Sequence, residues 1–264
     1  MGVRRLSRLL TDRDMAVLTT IEAHRLVTTR QVYELHFWSH ASYASGIRAC
    51  TRILARLEEH RLVRRLARPV GGVGGGSSST VWALDVAGDR VLRRGTETRR
   101  RHTFEPSTVF MQHTLSVTET RVRIEQAARL GLFDLLSVVT EPTNWRTFVG
   151  DLGATLQLRP DLEVVTASAD YEDHWFLEVD LGTESGSALQ RKCQTYERYR
   201  RNGREQALRG VFPRVVWLVP DKRRASLLRH IVNADPDLEP RLFTIVTDDR
   251  LVEALVEPAA DDDA

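Results

Sequence analysis

Residues 67–79, Ala-Arg-Pro-Val-Gly-Gly-Val-Gly-Gly-Gly-Ser-Ser-Ser, constrain this chain more than any other stretch. Glycine loses the most backbone freedom on ordering, and serine competes for backbone hydrogen bonds, so a run rich in both belongs in a connection. Strand-like sequence flanks it on both sides. Leu62-Val63-Arg64-Arg65-Leu66 alternates, and Thr80-Val81-Trp82-Ala83-Leu84 reads as its antiparallel partner. The spacing predicts a hairpin with a mobile, basic tip. No Gly-Lys-Ser/Thr follows the glycines, and a strand rather than a helix comes next, which argues against a phosphate-binding P-loop.

Three helices precede the hairpin. Thr11-Asp12 offers an N-cap to a helix ending near His24, with Met15, Leu18 and Ile21 at helical spacing. Thr28 and Gln31 have capping-box spacing ahead of Val32 and Leu35. A third helix runs from about Ser42 to His60, with Ile47, Cys50, Leu54 and Leu57 on its inner face. Arg48, Arg52 and Arg56 form an i, i+4, i+8 row beside that stripe. Guanidinium groups can contact phosphates or fork onto guanine, as a helix lying in a DNA groove requires. Three helices and a hairpin are the order of a winged helix-turn-helix, expected over residues 1–92. Arg64, Arg65 and Arg68, on the hairpin and its tip, join the three helix arginines as candidate DNA contacts.

Charge supports that reading. The net charge of +2 conceals 19 arginines against 10 acids up to residue 105, and 19 basic residues against 26 acids beyond it. A basic N-terminal half suits a polyanion, because neutralised phosphates release counterions. Of the 38 basic residues only Lys192 and Lys222 are lysine, so any chemistry that needs an ammonium has two possible sources. Arg93-Arg94-Gly95-Thr96-Glu97-Thr98-Arg99-Arg100-Arg101 lacks apolar periodicity and marks a basic linker, residues 93–110. Residues 257–264 form an acidic tail expected to be disordered. Cys50 and Cys193 are too few for a disulfide framework or a cysteine zinc site. No apolar run reaches the roughly 20 residues of a membrane span, and no apolar stretch follows the basic start; a cytoplasmic location without a membrane partner is expected.

Residues 111–256 alternate differently. A helix from Met111 to Arg129 precedes strand-like stretches at 135–140, 157–166, 175–181, 215–219 and 242–246, with helices at 188–202 and 225–232. This is the order of an α/β sandwich with a mixed central sheet. In Trp175-Phe176-Leu177-Glu178-Val179-Asp180-Leu181, Phe176, Glu178 and Asp180 share one face. Two carboxylates in so apolar a run resist ionisation unless a cation is present. Asp161, in Arg159-Pro160-Asp161-Leu162-Glu163-Val164, would converge with them if the two strands are neighbours. Hard oxygen ligands without histidine or thiolate suit Mg²⁺ or Mn²⁺.

Pro160-Asp161 followed by Glu178-Val179-Asp180 resembles the PD-(D/E)xK nuclease superfamily over roughly residues 110–220. That signature would place lysine where Asp180 stands. Some members draw the lysine from the following helix, and the resemblance then implies Lys192 in that role and Glu119 as an acid on the preceding helix. Gln190 and Tyr196 would orient phosphate or metal-bound water. Across nearly the whole chain, the winged helix, Met-Gln-His-Thr-Leu, Arg-Pro-Asp, Glu-Val-Asp-Leu-Gly-Thr-Glu-Ser and Lys-x-x-x-Tyr-x-x-Tyr resemble the replication-relaxation proteins of actinobacterial plasmids and integrative elements.

The implied function is a plasmid or mobile-element DNA-binding protein acting in replication or DNA relaxation. As a Mg-dependent nicking endonuclease it would use Asp161, Glu178 and Asp180 as metal ligands, with Lys192 and Glu119 completing the catalytic set. The alternatives are a non-catalytic initiator or regulator that keeps a nuclease fold as a platform, and a plain repressor for which residues 1–105 suffice. Double-stranded DNA is the expected partner, with replication or mobilisation proteins and a second copy of the chain as further ones. His36 and His40 have metal-ligand spacing but suit packing better. Tyr196 and Tyr199 suit a core, and no His-hydrophobe-His or Gly-x-Ser-x-Gly motif supports covalent nicking or serine hydrolysis.

Overall fold

The computed structural model describes residues 9–66, 80–93, 105–150, 153–168 and 171–256, which fall into two compact units, Met1–Val122 and Arg123–Ala264. The expected hairpin tip with Arg68, most of the basic linker and the acidic tail lie outside the described residues.

The first unit begins with α1 (Asp12–His24), where Thr11 and Asp14 form a reciprocal capping box. A two-residue strand β1 (Val27–Thr28) leads into α2 (Thr29–His36), capped by Thr28 and Gln31 in the same way. Ser42 caps α3 (Tyr43–Glu59), which is followed by β2 (Val63–Leu66) and β3 (Val81–Leu84). These strands form an antiparallel sheet of order β1-β3-β2, in which Val63 pairs with Leu84 and Leu66 with Val81. The core gathers Val17, Leu18 and Ile21 of α1, Val32 of α2, Cys50, Leu54 and Leu57 of α3, and Trp82 of β3, all nearly inaccessible to solvent. A short helix α4 (Val86–Leu92), capped by Asp85, closes against this core. Its Gly88 is required by close approach, since a Cβ there would lie 2.1 Å from the Leu62 carbonyl oxygen. Helix α5 (Thr108–Arg129) contains the boundary between the units.

The second unit is built on a mixed five-stranded sheet. Its strands are β4 (Asp134–Thr140), β7 (Leu162–Ser168), β8 (Tyr171–Val179), β9 (Arg214–Val219) and β10 (Phe243–Thr247), in the order β10-β9-β8-β7-β4. A separate hairpin, β5 (Arg146–Val149) with β6 (Thr155–Leu158), precedes β7. The single strand expected over 157–166 is therefore two strands. Pro160 has no N–H to give a ladder, and pairing resumes with Asp161, whose N–H donates to the Leu177 carbonyl at 3.1 Å. Strands β7 and β8 are antiparallel, whereas β8, β9 and β10 are parallel. The parallel steps need long crossovers, supplied by α6 (Gly186–Asn202) with α7 (Arg204–Arg209), and by α8 (Lys222–Ala234). Helix α9 (Leu251–Val256) follows β10. Phe176, Trp217, Val219 and Ile245 on one sheet face pack with Leu189, Cys193 and Tyr196 of α6 and Leu228 of α8.

A ring of charges fastens the β5–β6 hairpin to this unit. Arg146 donates to Glu163 and to Glu205, both at 2.6 Å. Arg209 donates to Glu163 at 2.5 Å, and its Nε lies 3.0 Å from Glu205 Oε2 as an ionic contact only. Tyr199 adds a hydroxyl donor to Glu205 at 2.7 Å.

Candidate functional site

Helix α3 presents a mixed face to solvent in the first unit. Arg48, Thr51, Arg52 and Ala55 are exposed, and Ser45, Ile47, Arg48, Thr51 and Arg52 line an open depression. Small side chains flanking two arginines let the helix axis come close to a partner surface. Arg56 does not share their freedom, because its guanidinium donates at 2.5 Å to Asp14, whose side chain is fully buried. Arg65 is also engaged, 2.9 Å from Glu58 and stacked over Trp82 with its guanidinium carbon 5.2 Å from the ring centre. Arg64 is half-buried on β2. Glu119 belongs to this unit, where Arg30 forms an ion pair with it and Gln31 donates to it at 3.1 Å. His36 is held by Thr20 at 2.9 Å, and burial pushes it down to about 4; His40 lies against the ring of Phe37.

In the second unit the neighbouring antiparallel strands bring Asp161 and Glu178 together. The β7–β8 register starts at Leu162 opposite Leu177, and Asp161, the residue just before it, donates its N–H to the same Leu177 carbonyl, which places Asp161 beside the Leu177–Val179 end of β8 next to Glu178. Asp161 anchors the strand end by accepting the Val179 N–H at 2.7 Å. Glu178 is 2% exposed and is gripped from α6, where Lys192 and Tyr196 lie one turn apart. The Tyr196 hydroxyl donates to its Oε1 at 2.6 Å, and the Lys192 ammonium donates to its Oε2 at 3.2 Å. That ammonium also reaches Glu184 at 3.0 Å and sits 5.6 Å from the ring centre of Trp217, the residue beside Glu178 on β9.

Burial pushes the Glu178 carboxyl up to about 7 against the pull of Lys192, and the Asp161 charge adds to the rise. Lys192 is held above the ordinary lysine range, chiefly by the charge of Glu178. Asp180, just past the end of β8, is taken up differently. Arg224, near the start of α8, grips both of its oxygens, and its Oδ1 also accepts the Gly182 N–H at 2.8 Å. Among the described residues no group of three His, Cys, Asp or Glu side chains is arranged to hold a metal ion. The structure thus brings together Asp161, Glu178 and Lys192, and commits Asp180 to a guanidinium. Gln190 donates to Asp235 at 2.9 Å, and Tyr199 to Glu205.

Arg224 and Glu184 are the members that strand alternation cannot reveal, since both enter from outside the sheet. The Glu-Ser pair before an amphipathic helix is the one local signal for Glu184, because Ser185 caps α6. Among the described residues no helix is long and apolar enough to cross a membrane. A family model described as replication-relaxation matches residues 18–215, three quarters of the chain. No curated protein and no solved structure matches it.

Proposed function

The chain belongs to the replication-relaxation family, and from that premise we propose that it is a double-stranded-DNA-binding protein acting in the replication or relaxation of plasmid or mobile-element DNA. The first unit serves as a winged helix-turn-helix, its order of helix, strand, two helices and two further strands being that of the motif. The carrying observation is the exposed α3 face, where Arg48 and Arg52 project among Ser45, Thr51 and Ala55 while Arg56 is tied back to Asp14. Such a face suits a major groove, where arginine can fork onto guanine or meet phosphate. The second unit engages the phosphate backbone through Lys192, whose side chain is 38% exposed beside the buried Glu178.

The test is affinity for duplex DNA measured against salt. Each lost phosphate contact lowers the slope of log affinity against log salt by about 0.9. The Arg48→Ala, Arg52→Ala double variant should weaken binding and flatten that slope. Unchanged binding would remove the proposal.

A second reading, Mg²⁺- or Mn²⁺-dependent nicking, is favoured by one observation: Asp161 accepts the N–H of Val179, the residue next to Glu178, and Glu178 in turn holds Lys192. With Asp180 held by Arg224, the ligands would be two carboxylates, a number magnesium accepts when substrate phosphate and water complete its shell. The ion would supply Lewis-acid activation of the phosphate. In this chain Asp161 and Glu178 would hold it, and Lys192 would orient the phosphate oxygen. A supercoiled-plasmid assay discriminates the readings. Nicking lost in Asp161→Ala supports the nuclease, and no nicking with any divalent metal leaves DNA binding alone.

A further inference from the structure

Lys192 has two carboxylate partners of opposite character. Glu178 is buried and fixed by a second bond from Tyr196, whereas the Glu184 side chain is one-third exposed and meets Lys192 at 3.0 Å. We propose that Glu184 is a built-in substitute for backbone phosphate, holding the Lys192 ammonium in the free protein and yielding it when DNA arrives. The inference rests on the reading of Lys192 as a phosphate contact and adds a regulator to that site.

The loop that carries Glu184 is built to keep its backbone still and its side chain movable. Asp180 accepts the Gly182 N–H, and Gly182 has φ +77, a conformation in which a side chain would be strained. Arg224 donates at 2.8 Å to the Glu184 carbonyl, and Ser185 immediately caps α6. With the main chain pinned on both sides, displacement needs only rotation of the glutamate side chain. An ion pair open to solvent on one side is weak, while a carboxylate buried with two donors is costly to strip. An incoming phosphate therefore replaces Glu184 and leaves Glu178 in place. The threshold for capture is set by Glu184, which competes for the same ammonium.

Because the chain has only two lysines, the test can be read residue by residue. Full-length protein in EDTA is acetylated briefly, with and without a titrated duplex oligonucleotide, and Lys192 and Lys222 are quantified by peptide mass spectrometry. Lys222, exposed at the start of α8, is the internal control for reagent dose, and the unfolding midpoint of each protein in urea is the control for an intact fold. Glu184→Gln should raise Lys192 acetylation several-fold with Lys222 unchanged. Duplex should protect Lys192 in both proteins, at about two- to fivefold lower DNA concentration in the variant. Glu184→Ser, a second charge-removing change, should behave alike. Equal Lys192 labelling in wild type and both variants overturns the gate, as does raised labelling with an unmoved half-protection point. Raised labelling with no protection by DNA in any of the proteins overturns instead the phosphate role of Lys192, and the gate with it.

Discussion

Glu163→Ala tests the ring of charges, the feature that joins the β5–β6 hairpin to the main sheet. The carboxylate accepts from Arg146 at 2.6 Å and Arg209 at 2.5 Å, with its side chain only 5% exposed. Hydrogen bonds to charged groups contribute about 1.5–3 kcal/mol each, and breaking a buried pair costs about 3–5 kcal/mol. Both guanidiniums keep Glu205 as a partner and retain some contact with water, at 19% and 28% exposure, which places the loss near the lower bound of about 3 kcal/mol. Hydrogen exchange followed by mass spectrometry gives the readout, because opening of β5 and α7 is local to the ring. A loss of about 3 kcal/mol accelerates exchange there by roughly a hundredfold, while exchange in the first unit stays unchanged. Acceleration of less than about fivefold in β5 and α7 would refute the reasoning, since the ring would then contribute no more than exposed ion pairs do.

Other expectations concern single features. Arg56→Ala should lower stability of the first unit by about 2 kcal/mol in urea titration, because buried Asp14 loses its partner, yet leave the salt slope of DNA binding unaltered. Arg48→Ala with Arg52→Ala should do the reverse, lowering that slope by about 2 with little change in the urea midpoint. Burial pushes the Glu178 carboxyl up to about 7, so between the ordinary carboxylate range and that value the folded state holds a proton that the unfolded state has lost. Its contribution to stability is complete below the ordinary carboxylate range and is lost as the pH rises toward 7; Glu178→Gln should remove that decline in pH-dependent melting. Gly88→Ala should destabilise the first unit by about 2–3 kcal/mol through the clash with the Leu62 carbonyl, and a melting temperature within 2 °C of wild type, roughly, would contradict it.

The legible parts of this chain were those governed by short-range rules. The Thr28–Gln31 capping box starts α2 at the predicted residue, and Ser42 does the same for α3. Alternation along 175–181 puts Glu178 on the face of Phe176, and the neighbouring β7–β8 pair brings Asp161 to the same strand end, where it bonds to Leu177 and Val179. What escaped was set by long-range pairing. Nothing within 214–234 announces that Arg224 will claim Asp180, forty-four residues away in sequence. The β5–β6 hairpin escapes because β5 is only four residues long with Phe148 as its one buried side chain, and because Arg146 is tied to Glu163 and Glu205 from outside the hairpin. Glu163 reads as one residue of a strand, but its side-chain partners come from two other elements, Arg146 on β5 and Arg209 on α7.

Asp14 caps α1 through Thr11 and, with its other oxygen, holds Arg56 of α3. One carboxylate therefore couples the first turn of the unit to the helix that carries Arg48 and Arg52. A shortened chain beginning after residue 14 would fray α1 and at the same moment release a third arginine onto the exposed surface. If α3 meets DNA as proposed, such a fragment should bind duplexes less selectively although its α3 sequence is untouched.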